Sequence, residues 1–273
     1  MRALLTPAVV LAVAASGSAA WAADHTNLDE NLPVRLTDAY PIPYDSIEAQ
    51  GYFSYDRKRY GSAGRGTRGS DAVTFSPQVE VGLFRNFQAS VAVPYRLGNA
   101  SETKQGDFVA QGLYNFNSES VYVPALALQV GVDQPYGYQK GGTETSVQAI
   151  ASKSIGSFGT SYVPRQLHFN AIWFHNYDPL SLADVRERKD RYLVGVAYSQ
   201  PVTNDAVLVA NIYREELRER TQAQNIIQVG VRYQLDPQTV LSGSVGTGFA
   251  DHSPAFVALI GFQHTLSWPL LFH

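Results

Sequence analysis

Residues 72–97, AVTFSPQVEVGLFRNFQASVAVPYRL, decide how the chain is read. Val73, Phe75, Pro77, Val79, Val81 and Leu83 alternate with Thr74, Ser76, Gln78, Glu80 and Gly82, the period of two expected of a strand with unlike faces. Phe87, Ala89, Val91, Val93, Tyr95 and Leu97 then alternate with Gln88, Ser90, Ala92, Pro94 and Arg96. Only Phe84, Arg85 and Asn86 separate the two runs, a spacing that predicts a tight hairpin. Each run is long enough to cross a bilayer as a tilted strand, which takes about 9–11 residues. Packing the polar face into a dry core would cost about 1–3 kcal/mol for each unpartnered group, and a wet lumen removes that penalty. The apolar face then meets lipid.

The same alternation recurs on both sides of this stretch. Before it, Gly51, Phe53 and Tyr55 oppose Gln50, Tyr52, Ser54 and Asp56. After it come runs at 108–116, 123–133, 143–155, 166–175, 192–198, 206–213, 227–233, 239–248 and 255–266. The run at 206–213 is apolar on both faces, and its pattern does not orient it. The connections tend to alternate between long charged segments and short turns such as Asp236-Pro237. The expectation is an all-β protein, an antiparallel transmembrane up-and-down β-barrel of about 12 strands over residues 47–273, with both termini periplasmic. Tyr95, Tyr177, Tyr192, Tyr213, Phe116 and Tyr233 fall near strand ends, where aromatic girdles sit.

At the N-terminus, Arg2 precedes the apolar run Leu4 to Ala15 and a small-residue region ending Ala20-Trp21-Ala22, which predicts a signal peptide over residues 1–22, removed on export. Residues 23–46 carry Pro33, Pro41 and Pro43 and no sustained period. They read as a periplasmic N-terminal segment ahead of the barrel, free to lie in the lumen or to hang outside it.

Composition narrows the chemistry. The 273 residues are 45% hydrophobic, but a mean hydropathy of -0.15 is too low for helical membrane spans. The absence of cysteine excludes disulfides, thiol catalysis and Cys-ligated metals. A net charge of -3 leaves no basic footprint for nucleic acid. None of the six histidines sits in a metal-building spacing, and the glycine-rich stretches Gly61 to Gly69 and Gly243 to Gly248 lack the ending of a phosphate loop. No cofactor or metal is expected.

His168 and Asn170 share a face and would suit a lipid-modifying enzyme given a nucleophilic Ser within reach, which their own strand does not supply. The His-x-Ser arrangement of outer-membrane phospholipase is absent, and the chain is read as a non-enzyme. The candidate functional residues are therefore the polar faces: Gln78, Glu80, Gln88, Arg96, Asp107, Gln111, Gln129, Gln148 and Arg232 as lumen-lining side chains. They form either a solvated lining or a charged constriction that sorts solutes. Glu80 and Arg96 stand roughly 16 Å apart along their strands, too far to pair, so in an open lumen each would face water.

Several stretches are not demanded by barrel physics: Asn27 to Pro33 (NLDENLP), Asp38 to Ile42 (DAYPI), Gly112 to Ser120 (GLYNFNSES), Pro124 to Leu128 (PALAL), Val132 to Pro135 (VDQP) and Gly261 to His264 (GFQH). In these the chain resembles the meta-pathway phenol-degradation family of proteobacterial outer-membrane proteins. The resemblance implies a transporter-like barrel that passes hydrophobic or aromatic compounds, and it carries no catalytic residues. The reading is thus a passive channel for small solutes in the Gram-negative outer membrane, with membrane lipid, lipopolysaccharide and a small-molecule solute as partners and no nucleic acid. A lipid-modifying enzyme and a non-transport structural or adhesive barrel are its rivals.

Overall fold

The computed structural model describes residues 23–58, 71–98, 105–137, 141–157, 163–181, 186–220 and 222–266. The predicted signal peptide, most of the loop after residue 58 and the tail from 267 lie outside the described residues.

Among those residues the strands are β1 (Ile47–Lys58), β2 (Asp71–Phe84), β3 (Phe87–Ala92), β4 (Tyr95–Gly98), β5 (Gln105–Asn117), β6 (Ala125–Gly137) and β7 (Glu144–Ser154). They continue as β8 (Gln166–Asn176), β9 (Asp190–Pro201), β10 (Ala206–Glu216), β11 (Ala223–Asp236), β12 (Thr239–Gly248) and β13 (Pro254–Leu266). β3 and β4 are two halves of one stave, since both pair with β2 and with β5. The break falls at Val93-Pro94, where proline has no N–H to give the ladder.

Neighbours pair antiparallel in chain order, and β1 pairs with β13 on one side and β2 on the other. The sheet is therefore a closed barrel of twelve staves with no free edge, as the alternating runs predicted. The opening hairpin has the expected form: Val79 stands opposite Val91 and Glu80 opposite Ser90, with the turn at Arg85-Asn86.

Outward side chains form an exposed apolar belt that includes Val79, Val91, Val130, Val132, Val194, Val229 and Ile260. Exposed apolar and aromatic side chains on every stave would be untenable in water and suit a lipid-facing wall. Tyr177, Tyr192, Phe116 and Tyr233 are exposed at strand ends, where girdles were expected. Tyr213 is not: it points inward and is buried. The correction has a physical cause, because β10 carries apolar residues on both faces for two different solvents. Leu208 and Ile212 are exposed outside, whereas Val207, Val209 and Tyr213 are buried inside.

What they are buried against is residues 23–46, which lie within the lumen. The described chain starts at the rim of short turns, where the Ala23 amide donates to the Pro237 carbonyl at 2.7 Å. It then circles the interior. Leu28, Val34 and Leu36 pack with Ile172, Leu193, Val207, Val209 and Ile226 in one apolar cluster. Ala39 packs with Leu113, Ala125, Ala127 and Ile150 in a second. Fully burying one Leu or Val is worth about 1.5–3 kcal/mol, so the segment is bound by its apolar side chains as well as by the hydrogen bonds described below.

Two glycines let it approach the wall. A Cβ on Gly82 would lie 2.1 Å from the Pro43 carbonyl oxygen, and one on Gly261 would lie 2.3 Å from Leu32 Cδ2. The segment joins β1 at Ile47, just beyond the point where the Asp45 amide donates to the Gly82 carbonyl.

Candidate functional site: a plugged lumen and a charged chamber

The plug is held by a succession of inward side chains, most of them polar residues that alternate with lipid-facing ones. Arg232, fully buried, donates to the carbonyls of Leu32 (2.6 Å), His25 (3.2 Å) and Asp24 (3.4 Å), and to Gln263 Oε1 (2.5 Å). It also faces Asp29 at 3.6 Å. Ser244 Oγ donates to the Pro33 carbonyl. Asn170 is used twice, accepting the Thr37 amide and donating to the Thr37 carbonyl. Asn115 donates to the Ala39 carbonyl, and Gln88 Oε1 accepts the Ile42 amide at 2.7 Å. An irregular segment with no strand or helix of its own must place its backbone groups somewhere, and here the wall receives them.

The nine lumen-lining residues named from the sequence all turn inward, but they do two different jobs. Gln88 and Arg232 grip the plug backbone, and Gln111 and Gln129 donate to plug residue Glu30 at 3.2 and 3.4 Å. Gln148 holds Asn170 at 2.6 Å, and Gln78 and Gln88 hold Glu80 from two sides. Only Arg96, Asp107 and Gln111 of the nine also line an open cavity. The expectation that Glu80 faces water is corrected: it is 3% exposed, because the plug closes the lumen at its level. Arg96 does not pair with Glu80 and lies 3.4 Å from Asp56.

Between the plug and the long-loop rim lies a cavity of about 520 Å³. Its floor is Glu30, Asn31 and Arg35 of the plug. An ion-pair network crosses its wall. Arg191 holds Glu144 with two hydrogen bonds, 3.0 and 2.6 Å, reaches Glu215 at 3.1 Å and stacks on the Phe174 ring at 3.6 Å. Arg35 ties Glu30 to Glu215, and so ties plug to wall. Arg218 sits 2.6 Å from Asp133, 3.8 Å from Asp107 and 3.9 Å from Glu144. Burial disfavours the Arg218 charge, yet Asp133, Glu144 and Asp107 outweigh it and hold its pKa above the ordinary arginine value.

Sequence reasoning did not single out Arg35, Arg191, Arg218 or Glu215. The signal was the clustering of charge at Asp184 to Arg191 and Arg214 to Arg220, which read as loop edges.

Two carboxylates outside the strands show opposite environments. At the short-turn rim burial works against the Glu119 charge, but hydrogen bonds from Lys153 and Ser154 prevail and hold its pKa below the usual carboxylate range. In the plug, burial pushes Asp38 up to about 8, although its oxygens accept the Leu28 and Tyr40 amides. A carboxyl raised in this way steadies the seated plug in full below about 3.8, and the contribution fades as pH climbs through about 8. Protease cleavage within residues 23–46 should therefore be faster at pH 9 than at pH 5, and Asp38→Asn should flatten the difference. Equal rates at both pH values in the parent would contradict this.

The enzymatic rival meets a specific geometry. Ser152, on the strand beside His168, lies 2.9 Å from Nδ1, and Ser199 lies 3.1 Å from Nε2. The nucleophile missing from the His168 strand is thus present next door. It is occupied, however: Ser152 Oγ accepts the Ala39 amide, Asn170 is bonded to Thr37 and Gln148, and His168 is fully buried beneath the plug. Among the described residues no carboxylate accepts from the ring, so the cluster reads as a seat for the plug.

No family model and no curated protein matches the chain. Solved structures do. An outer membrane channel from Pseudomonas putida F1 superposes with a TM-score of 0.61 at 12% identity, covering 84% of this chain and 98% of that one. The chain has the fold of outer-membrane channels. The NanC porin gives 0.53 at 11% identity, with coverages of 81% and 100%. The KdgM porin gives 0.51 at 9%, with 80% and 98% covered, and has also been solved in complex with disordered oligogalacturonate. This fold and the exposed apolar belt are those of an outer-membrane β-barrel. They agree with the barrel fold implied by the sequence resemblance, while the phenol-degradation family itself finds no matching model.

Proposed function

We propose that the chain is a passive channel for small solutes, gated by its own residues 23–46, with hydrophobic or aromatic compounds as the class the sequence resemblance implies. The supporting observation is the chamber itself: a cavity at the long-loop end of a closed barrel, walled by Tyr52, Phe174 and Tyr213 among charged groups and floored by the plug. A purely structural barrel has no use for such a space. Residues 1–22 are removed on export, the long loops face outward among lipopolysaccharide, and the short turns face the periplasm. A solute collects in the chamber and passes when the plug gives way.

Purified full-length protein in planar bilayers should conduct ions. Absence of current would remove the channel reading and move the structural barrel ahead. Orientation has its own check. Protease added to intact cells should cut at Arg186 to Lys189 and spare Asp236-Pro237; cleavage only at the latter would invert the barrel.

A further inference from the structure

We propose that the chamber is a binding site for small organic cations, and in particular for amines carried on an aromatic body. This deepens the channel reading by naming a class of solute, and it rests on that reading for the solute's passage.

Eight carboxylates and four guanidiniums line the cavity among the described residues. Each of the four guanidiniums is already engaged by carboxylates: Arg35 by Glu30 and Glu215, Arg96 by Asp56, Arg191 by Glu144 and Glu215, and Arg218 by Asp133 and Asp107. Positive charge in the chamber is thus consumed within the protein, and the surplus is negative. A solute carboxylate entering here would find no free guanidinium and a repulsive field.

Two unused acceptors point the same way. Gln228 is 5% exposed and lines the cavity, and its Oε1 has no donor. Asp133 lines the cavity from the other side of the barrel, and its Oδ1 also has no donor. Both are acceptors; the cavity-lining donor atom in the same position among the described residues, Arg96 Nε, belongs to a guanidinium already held by Asp56. A buried acceptor left alone is costly, and an ammonium group brings three donors and no acceptor to satisfy it.

The rings of Tyr52 and Tyr213 supply surface for an apolar body, and their faces attract a cation at close range.

Three probes share one body and differ in charge: 2-phenylethylamine, 2-phenylethanol and phenylacetate. Calorimetric titration of the full-length protein in detergent should show the amine binding at least tenfold more tightly than the alcohol, with phenylacetate undetected. The pair Asp133→Asn and Gln228→Met should weaken the amine at least tenfold while leaving the heat-modifiable gel migration of the folded barrel unchanged. In planar bilayers the amine added on the long-loop side should block current, and reversal potentials in a salt gradient should favour cations. Equal binding of the three probes, tighter binding of phenylacetate, no binding of the amine, or an unaltered affinity in the double variant would each overturn the proposal. Amine binding without any current would uphold the site and remove the channel reading; current with no preference for the amine would do the opposite.

Discussion

Arg232→Ala should unseat the N-terminal segment and turn a restricted pore into an open one. Arg232 is fully buried and donates to three plug carbonyls, those of Asp24, His25 and Leu32, while facing the Asp29 carboxylate. Removing it strands a buried carboxylate and several carbonyls at once, a loss of about 3–5 kcal/mol in comparable buried pairs. Every 1.4 kcal/mol is about a tenfold change in population, so the seated fraction relative to the released one should fall by roughly two to three and a half powers of ten.

The wall should survive, because β11 keeps its backbone ladder to β10 and β12. Single-channel current should rise in Arg232→Ala and match that of a variant lacking residues 24–42. Arg232→Lys should fall between the two, since a lysine keeps the charge but cannot fork to several carbonyls. Parental current in all three variants would show that the plug is no barrier.

Arginine on the outer wall should cost the barrel its stability. Val79 and Val91 face each other across the opening hairpin and are 48% and 42% exposed on the outside. Val79→Arg or Val91→Arg should each destabilise the barrel by about 2–4 kcal/mol, the range for arginine near the midplane of a lipid-facing wall. Ser54→Arg, which would reach into the chamber, should be tolerated.

Ser90→Arg is the informative case. From the strand pattern alone it belongs with the tolerated inner positions, yet Ser90 is 8% exposed in the packed interior, so overpacking should destabilise it by about 1–3 kcal/mol. Urea titration of protein folded into vesicles would measure all four. Equal losses throughout would mean that the faces have been assigned wrongly.

Residues 72–97 and their repeats determined the barrel by themselves. A membrane strand has lipid on one side, and its period of two is written into every run but that at 206–213 without reference to distant residues. The same locality fixed the hairpin at Arg85-Asn86 and the inward direction of the nine polar residues.

What the pattern could not decide was what those inward residues would meet. Glu80 looks like a wet lining charge from its neighbours, and it is buried because the irregular segment ahead of the barrel, residues 23–46, closes the lumen at its level. The run at 206–213 carried a trace of this, since a strand apolar on both faces requires a second apolar surface, and Leu28, Val34 and Leu36 are that surface.

Residues 23–46 themselves have no period, because an irregular segment borrows its hydrogen-bond partners from the wall and leaves no repeat in its own sequence. Arg191, Arg218 and Glu215 likewise read as loop-edge charges. Their assembly into one chamber with Asp133 and Arg35 depends on staves separated widely in sequence and brought round by barrel closure. Outside the run at 206–213, alternation determined which face each side chain takes; only the closed barrel, with residues 23–46 folded inside, decided which faces are wet.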